Sequence, residues 1–257
     1  MDLGLKGKTV IITGGTKGIG SGIAEAFARE GANLILDFRS DEENSFKFVE
    51  ELKSKYEVEV FGIKADVSVK ENVPKIFDFA EEKLGKLDIL INNAGPTSNK
   101  TEKMIWELTY EEWQYGLDNH VTQYFMMSSE FARRMIAKER KGAIVNILSK
   151  ASLTTTHKGI TVYVTNKTAE MGLMKQMAVD LVDKGIIVNG VMPGSVKNQT
   201  YATRSKEFIE ARIKRMPMGR YNEPIEIGRL VVFLASDINK VSLGAPVDAT
   251  AGMMLGF

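Results

Sequence analysis

Tyr163 and Lys167 are four residues apart, so they share one face of any helix that holds them. A phenol ordinarily titrates near ~10 and is a poor base at neutral pH. An ammonium beside it favours the phenolate and makes the pair a usable acid–base group. The spacing alone is common, and a buried ring on an amphipathic helix satisfies it as well. Ser149 precedes Tyr163 by fourteen residues and ends the apolar run 143–148. A hydroxyl there can donate to a substrate oxygen and orient it, although a turn or a helix cap is the plainer use. Ser152 is the alternative if the connection takes an extra residue earlier. A third group opens the chain. The string Thr-Gly-Gly-Thr-Lys-Gly-Ile-Gly at residues 13–20 comes after a short apolar run. Its glycines let the backbone turn tightly and approach a phosphate, with a helix N-terminus behind them. It lacks the Gly-Lys-Ser/Thr ending of a P-loop.

Other reactive side chains are scarce. The chain has no cysteine, which excludes disulfides, a thiol nucleophile and Cys-based metal sites. Its two histidines, His120 and His157, are too far apart for a His-rich site, so no metal is expected. Lys plus Arg number 34 against 33 Asp plus Glu, and this balance argues against a nucleic-acid partner. The longest apolar runs, such as 230–235, hold about six residues, far short of the ~20 that span a bilayer. Residues 1–8 are polar and carry no signal-peptide core. A cytoplasmic protein without a membrane or nucleic-acid partner is expected.

The elements that must position these groups are set by hydrophobic patterning. Apolar runs at 9–13, 33–38, 58–64, 87–92, 143–148, 186–192 and 244–247 read as strands. Helical patterns start near Gly18, Asp41, Ser68, Thr109, Thr161, Arg204 and Glu223. Ser68 with Glu71, and Thr109 with Glu112, have capping-box spacing. The runs are continuously apolar and β-branched, as when both faces of a parallel sheet are covered. Strand–helix alternation without a linker predicts one α/β domain over residues 1–257. It is a doubly wound parallel sheet of about seven strands with helices on both faces. The irregular stretch 193–219 leaves a strand's carboxyl end, where ligand crevices form, and reads as a lid at about 194–219.

The spacing Gly14-x-x-x-Gly18-x-Gly20 resembles the short-chain dehydrogenase/reductase family. Further blocks occur in that family's order: Asp66-Val67, Asn92-Asn93-Ala94-Gly95, Ser149, Tyr163-x-x-x-Lys167 and Pro193-Gly194. The tail from Gly219-Arg220 through Glu223-Pro224 to the run 233–237 is also similar. The likeness covers essentially the whole chain. It implies a Rossmann fold and a hydride exchange between a nicotinamide cofactor and a carbonyl or secondary alcohol. It implies cofactor contacts at Gly14, Thr16, Lys17, Gly18, Ile19 and Gly20. It also implies contacts at Arg39, Ser40, Asp66, Val67, Asn93, Ala94 and Gly95, then at Tyr163, Lys167, Pro193, Gly194 and Val196. Asn92 joins Gly95 in shaping the floor under the nicotinamide. The catalytic set is Ser149, Tyr163 and Lys167, with Lys167 also anchoring a ribose.

The cofactor choice turns on the adenosine ribose. Counting from Gly31, the family's NAD-selecting acid falls at Phe38. Asp37 is one residue early and faces the other side of a strand. Arg39 comes next, and Lys17 lies nearby by analogy, so NADP(H) is favoured over NAD(H). The fourth catalytic position departs from the family. Relatives place an Asn seven residues after a Trp, and counting from Trp113 reaches His120. Either His120 takes that place, titrating near 6.5 within a proton relay, or the register shifts and Asn119 serves. After Gly194 the family often has Thr, where this chain has Asn198, with Thr200 further on.

The substrate wall is expected from 96–106, 150–157 and 195–218. Lys150, Lys197, Arg204 and Lys206 give it a basic character, which would suit an anionic substrate. The substrates implied are a steroid or bile acid, a 3-oxoacyl thioester or a sugar. Val179, Asp180 and Asp183 are less basic than expected for an acyl-carrier-protein partner. The alternative is a catalytically idle NADP(H)-binding sensor or scaffold of the same fold. The resemblance implies a homotetramer, and the ending Thr250-Ala251-Gly252 departs from the family's Asp-Gly-Gly.

Overall fold

Each strand turns alternate side chains to opposite helical layers, which is why the sequence shows apolar runs rather than polar alternation. The structure is a computed structural model that describes residues 1–96, 101–155 and 157–255. The first half runs β1 (Thr9–Ile12), α1 (Gly18–Arg29), β2 (Asn33–Phe38), α2 (Glu42–Tyr56), β3 (Val60–Lys64), α3 (Asn72–Leu84) and β4 (Ile89–Asn92). Then come α4 (Tyr110–Leu117), a π turn (Asp118–Thr122), α5 (Gln123–Ala137), β5 (Gly142–Ile147) and α6 (Thr161–Leu181). The chain ends with β6 (Ile186–Pro193), α7 (Gln199–Ala202), α8 (Lys206–Ile213), α9 (Pro224–Ala235) and β7 (Pro246–Ala249). The seven strands form one parallel sheet in the order β3-β2-β1-β4-β5-β6-β7.

Within β1, Val10 and Ile12 pack with Ile23 and Phe27 of α1, Val49 of α2 and Val231 of α9. Ile11 points the other way, to Phe77 of α3, Phe131 of α5 and Met174 of α6. The connections from neighbouring β1 and β4 therefore leave to opposite faces. Their carboxyl ends open the crevice expected at a topological switch point. Among the described residues no helix is long and apolar enough to cross a membrane.

Several boundaries differ from the sequence reading. β3 and β4 start two residues later than the runs at 58 and 87, and the last strand is β7, not 244–247. Gly244 has φ +63°, a turn conformation that ends no strand and starts none. Ser68 does not cap a helix. Its hydroxyl donates to the Asp66 carboxylate at 2.6 Å and closes a turn, and α3 begins at Asn72. Thr109 does form its box, accepting from the Glu112 N–H at 3.2 Å while Glu112 accepts from the Thr109 N–H. The helix expected near Arg204 divides into α7 and α8, with the Ser205 hydroxyl accepting from the Phe208 N–H at 3.2 Å.

The single helix expected after Thr109 is interrupted by the π turn, which inserts one extra residue and rotates the helix beyond it. α1 and α9 cross closely because each places a glycine at the contact. A Cβ on Gly22 would lie 2.2 Å from the Pro224 carbonyl carbon, and one on Gly228 would lie 2.4 Å from the Gly22 oxygen. Gly22→Ala is expected to force the helices apart and destabilise the fold by about 1–3 kcal/mol. The check is the chemical-denaturation midpoint, and an unchanged midpoint would show that the crossing can open freely.

Candidate active site

At the switch point the backbone turns under Asp37. The Gly14 N–H donates to the Asp37 carboxylate at 2.8 Å, and the Gly15 N–H donates to the Asp37 carbonyl at 3.0 Å. Gly14 and Gly18 have φ +60° and +55°, which suits glycine. A Cβ on Gly20 would lie 2.1 Å from the Gly14 oxygen, so only glycine lets α1 start this close to the turn. Asn93 ties the far side, donating from Nδ2 to the Thr13 and Gly14 carbonyls at 2.9 and 3.1 Å. The N–H groups of Asn93 and Ala94 both donate to the Thr13 hydroxyl. Thr16 meets Ser45 across the turn at 2.9 Å, and the N-cap residue Lys17 makes no side-chain cap to the first turn of α1 among the described residues. An anion can therefore take the N–H groups at Gly18 and Ile19.

A cleft of about 390 Å³ runs from this turn along the strand ends to Tyr163 and Lys167. Its outer end is lined by Lys17, Arg39, Ser40, Asp66 and Val67. Asp37 points inward as its register predicts, 2% exposed. Burial pushes its carboxyl up to about 7, against the Gly14 hydrogen bond; Asp66 adds to the rise and Arg39 opposes it. The Arg39 guanidinium is half exposed and donates to the Asn119 side chain at 2.9 Å, with Asp66 at 3.5 Å. Burial raises the Asp66 carboxyl, but the Ser68 hydroxyl and N–H and then Arg39 hold it below the usual range. This donor set suits a nucleotide with phosphates: main-chain N–H groups, two cations and a carboxylate at one end, acid–base groups at the other.

At the inner end, Lys167 sits buried on α6. Its ammonium donates to the Ile147 carbonyl of β5 at 3.0 Å and to Glu170 at 2.8 Å. Tyr163, one turn earlier, lines the cleft, and the His120 ring stands edge-on to it at 5.6 Å. The π turn brings both Asn119 and His120 to the cleft, with their side chains turned to different partners. His120 Nδ1 lies 3.2 Å from the Glu170 carboxylate, whereas the Asn119 side chain turns to Arg39 and to the Tyr115 carbonyl. His120 does not titrate near 6.5. Burial, opposed by Glu170 and aided by the charge of Lys167, holds its protonation below that value. A Cβ on Gly95 would lie 3.2 Å from the His120 ring, so this glycine makes room for it. Ser149 is buried, and its oxygen accepts the Ala151 N–H at 3.1 Å as a cap, which leaves its own hydrogen to donate. Ser152 is buried deeper, its hydroxyl without a partner among the described residues.

Asn92 lies inside the sheet, donating to Ser128 and to Asn146, each at 2.8 Å. Pro193 ends β6, a Cβ on Gly194 would lie 2.7 Å from the Thr250 oxygen, and Val196 is buried beside Asn222. This segment leads to Asn198 and Gln199, which line the cleft. Sequence reasoning misses Gln199, and also Gln123, whose amide donates to the Ala94 and Asn119 carbonyls at 2.6 Å. It misses Glu170 too, although a place three residues after Lys167 puts it on the same face. The cations expected along 194–219 mostly have partners. Lys197 meets Glu223, Lys206 is 4.0 Å from Glu210, and Arg204 stacks on Phe208. Burial, and then the charge of Arg212, hold the Lys150 ammonium below its usual range. Of the expected substrate wall, residues 97–100, Thr156 and the Thr200 side chain lie outside the described residues.

Residues 14–254 match the family model described as enoyl-(acyl carrier protein) reductase. The chain is 32% identical over 253 residues to the 3-oxoacyl-(acyl-carrier-protein) reductase of Aquifex aeolicus, covering 98% of this chain and 100% of that protein. It is 31% identical to glucose 1-dehydrogenase 2 of Bacillus subtilis, covering 98% and 96%. The fold is similar to that of L-sorbose reductase from Gluconobacter frateurii, solved with NADPH and L-sorbose. That likeness has a TM-score of 0.91 and 28% identity and covers both chains fully.

Asp37 links the turn to pH. A carboxyl whose folded value is raised to about 7 favours the fold fully only below its unfolded value near ~3.9; the gain is lost as pH rises through 7. Asp37→Asn keeps the acceptor for Gly14 and removes the ionisation. Its melting temperature relative to the unsubstituted protein is expected to be higher at pH 8.5 than at pH 5. A difference that does not vary with pH would refute this.

Proposed function

The chain belongs to the short-chain dehydrogenase/reductase family of oxidoreductases, and we propose that within it the protein is an NADP(H)-dependent carbonyl reductase or secondary-alcohol dehydrogenase. One observation carries the reading. The cleft that holds Tyr163 beside the buried Lys167 ends at Lys17 and Arg39, the NAD-selecting place holds Phe38, and the one β2 carboxylate on the cleft, Asp37, is taken up by the Gly14 N–H. Arg39 would turn from Asn119 and Asp66 to grip a 2′-phosphate bidentately, with Lys17 adding a point charge. Asp66 and Val67 would hold the adenine, the first turn of α1 the pyrophosphate, and Lys167 the ribose. The backbone at Val196 would hold the carboxamide. The solved neighbour with NADPH supports this choice.

A bound nicotinamide would supply or accept the hydride. Everything else falls to the chain. The Ser149 hydroxyl would donate to the substrate oxygen and aim it. In reduction, Tyr163 would deliver its phenolic proton to that oxygen as the hydride reaches the carbon; in oxidation it would take the proton back. Lys167, fixed by Ile147 and Glu170, would stabilise the phenolate left behind. The substrate classes in view are 3-oxoacyl thioesters, sugars and carboxylate-bearing steroids. Lys150 beside Arg212 supports an anionic one. Exposed Phe125 on α5, Val179 on α6 and Phe233 on α9 support a homotetramer, and no partner besides a small molecule is proposed.

A panel of ketones, keto sugars and 3-oxoacyl thioesters assayed with NADPH tests the activity. Tyr163→Phe is expected to lower kcat by about 10²-fold or more. Turnover unaffected by this substitution would refute the mechanism. NADPH binding without turnover of any carbonyl would favour an idle sensor. The double substitution Lys17→Glu, Arg39→Asp is expected to weaken NADPH binding by ~10-fold or more while sparing NADH. Unchanged NADPH affinity would remove both cations from the phosphate site.

A further inference from the structure

Glu170 takes no part in the proton and hydride steps, yet its side chain has no exposure to solvent. A buried carboxylate is costly unless its oxygens are satisfied. Here each oxygen has one partner from the catalytic end: Oε2 accepts from the Lys167 ammonium at 2.8 Å, and Oε1 lies 3.2 Å from His120 Nδ1. Burial holds the protonation of His120 below its ordinary range, and because a carboxylate only accepts, the contact with Glu170 requires Nδ1–H as the donor. The local balance is one positive charge, one negative charge and a neutral ring.

The titratable groups around this pair come from three elements. His120 comes from the π turn, and Tyr163 and Lys167 come from α6. Tyr124 comes from α5, with the Lys167 ammonium 5.4 Å from its ring centre. Burial, then the charges of Glu170 and Tyr163, push the Tyr124 phenol well up, so it stays uncharged and donates to the Ile147 carbonyl at 3.0 Å. An ammonium has three donors. Ile147 and Glu170 take two from Lys167, and the third is left for the cleft that Lys167 lines.

A lone ammonium beside a phenol draws off its proton, which prepares a base for alcohol oxidation. An ammonium already matched by a carboxylate draws less. We propose that Glu170 is a positioning residue that binds Lys167 and His120 together and offsets the pull of the ammonium on the Tyr163 proton, setting the site to donate that proton in carbonyl reduction at neutral pH. The inference rests on the acid–base reading of Tyr163. The equilibrium between carbonyl and alcohol is untouched; Glu170 sets the pH range in which each direction runs fast.

The test compares the unsubstituted protein with Glu170→Gln, which keeps the shape and an acceptor for Lys167 but removes the charge. In cofactor-free protein, the tyrosinate absorbance present in each background and absent after Tyr163→Phe is monitored against pH. In Glu170→Gln it is expected to develop about one pH unit lower, with the acid limb of alcohol oxidation moving the same way. Glu170→Asp keeps the charge at shorter reach and is expected to hold the original pH profile with a lower kcat. Superimposed curves for the unsubstituted protein and Glu170→Gln would overturn the proposal. Should Glu170→Gln not fold, a downward-shifted profile in Glu170→Asp would overturn it equally. Absence of turnover in every variant would sink the reductase reading instead, while the absorbance titration would still decide the role of Glu170.

Discussion

The ammonium of Lys167 has been taken out of water, and a charge in that position must be held on all sides. Three parts of the fold meet that demand. β5 offers the Ile147 carbonyl, α6 offers Glu170 from its next turn, and the π turn brings His120 to the other oxygen of Glu170. Removing one partner of a buried ion pair typically costs about 3–5 kcal/mol, so the three parts cannot move independently. The parallel order β4-β5-β6 is what places the end of β5 under α6. Tyr163, one turn before Lys167 on the same helix, inherits its position from that anchoring.

The opposite end of the cleft is fixed by a different constraint, close backbone approach. Gly14 and Gly20 leave no room for a Cβ between them, Asp37 fastens the turn from β2, and Asn93 fastens it from β4. Because β1 and β4 are neighbours whose connections leave to opposite faces, the turn and α6 open onto one crevice. The distance between the glycine turn and Tyr163 is thus set by the sheet, not by loops. That is the arrangement a nicotinamide dinucleotide requires.

Much of this is legible in the sequence because it depends on local rules. The glycine spacing marks the turn, strand runs mark the sheet, Tyr163 and Lys167 mark one helix face, and the register of Asp37 foretells its inward direction. Features that depend on three-dimensional context are not legible there. Periodicity does not show that the helix after Thr109 contains a π turn, nor that this turn aims His120 at Glu170 and the Asn119 side chain at Arg39. Ser68 has capping-box spacing, but the nearby Asp66 carboxylate competes for its hydroxyl. The basic character of 194–219 is a count of cations in the sequence, whereas in the fold Glu223 and Glu210 stand close enough to pair with Lys197 and Lys206. Glu170 is visible in the sequence as the third residue after Lys167, yet only packing shows that it is buried.

Passage of a hydride between NADPH and a carbonyl carbon in this crevice is the event on which the functional reading stands. It can be observed with NADPH deuterated at C4, each epimer in turn, a carbonyl substrate that the protein reduces, and mass spectrometry of the alcohol formed. Deuterium is expected on the carbinol carbon from one epimer and none from the other, as a fixed site demands. An alcohol free of deuterium with both epimers, or equally labelled by both, would contradict the reading.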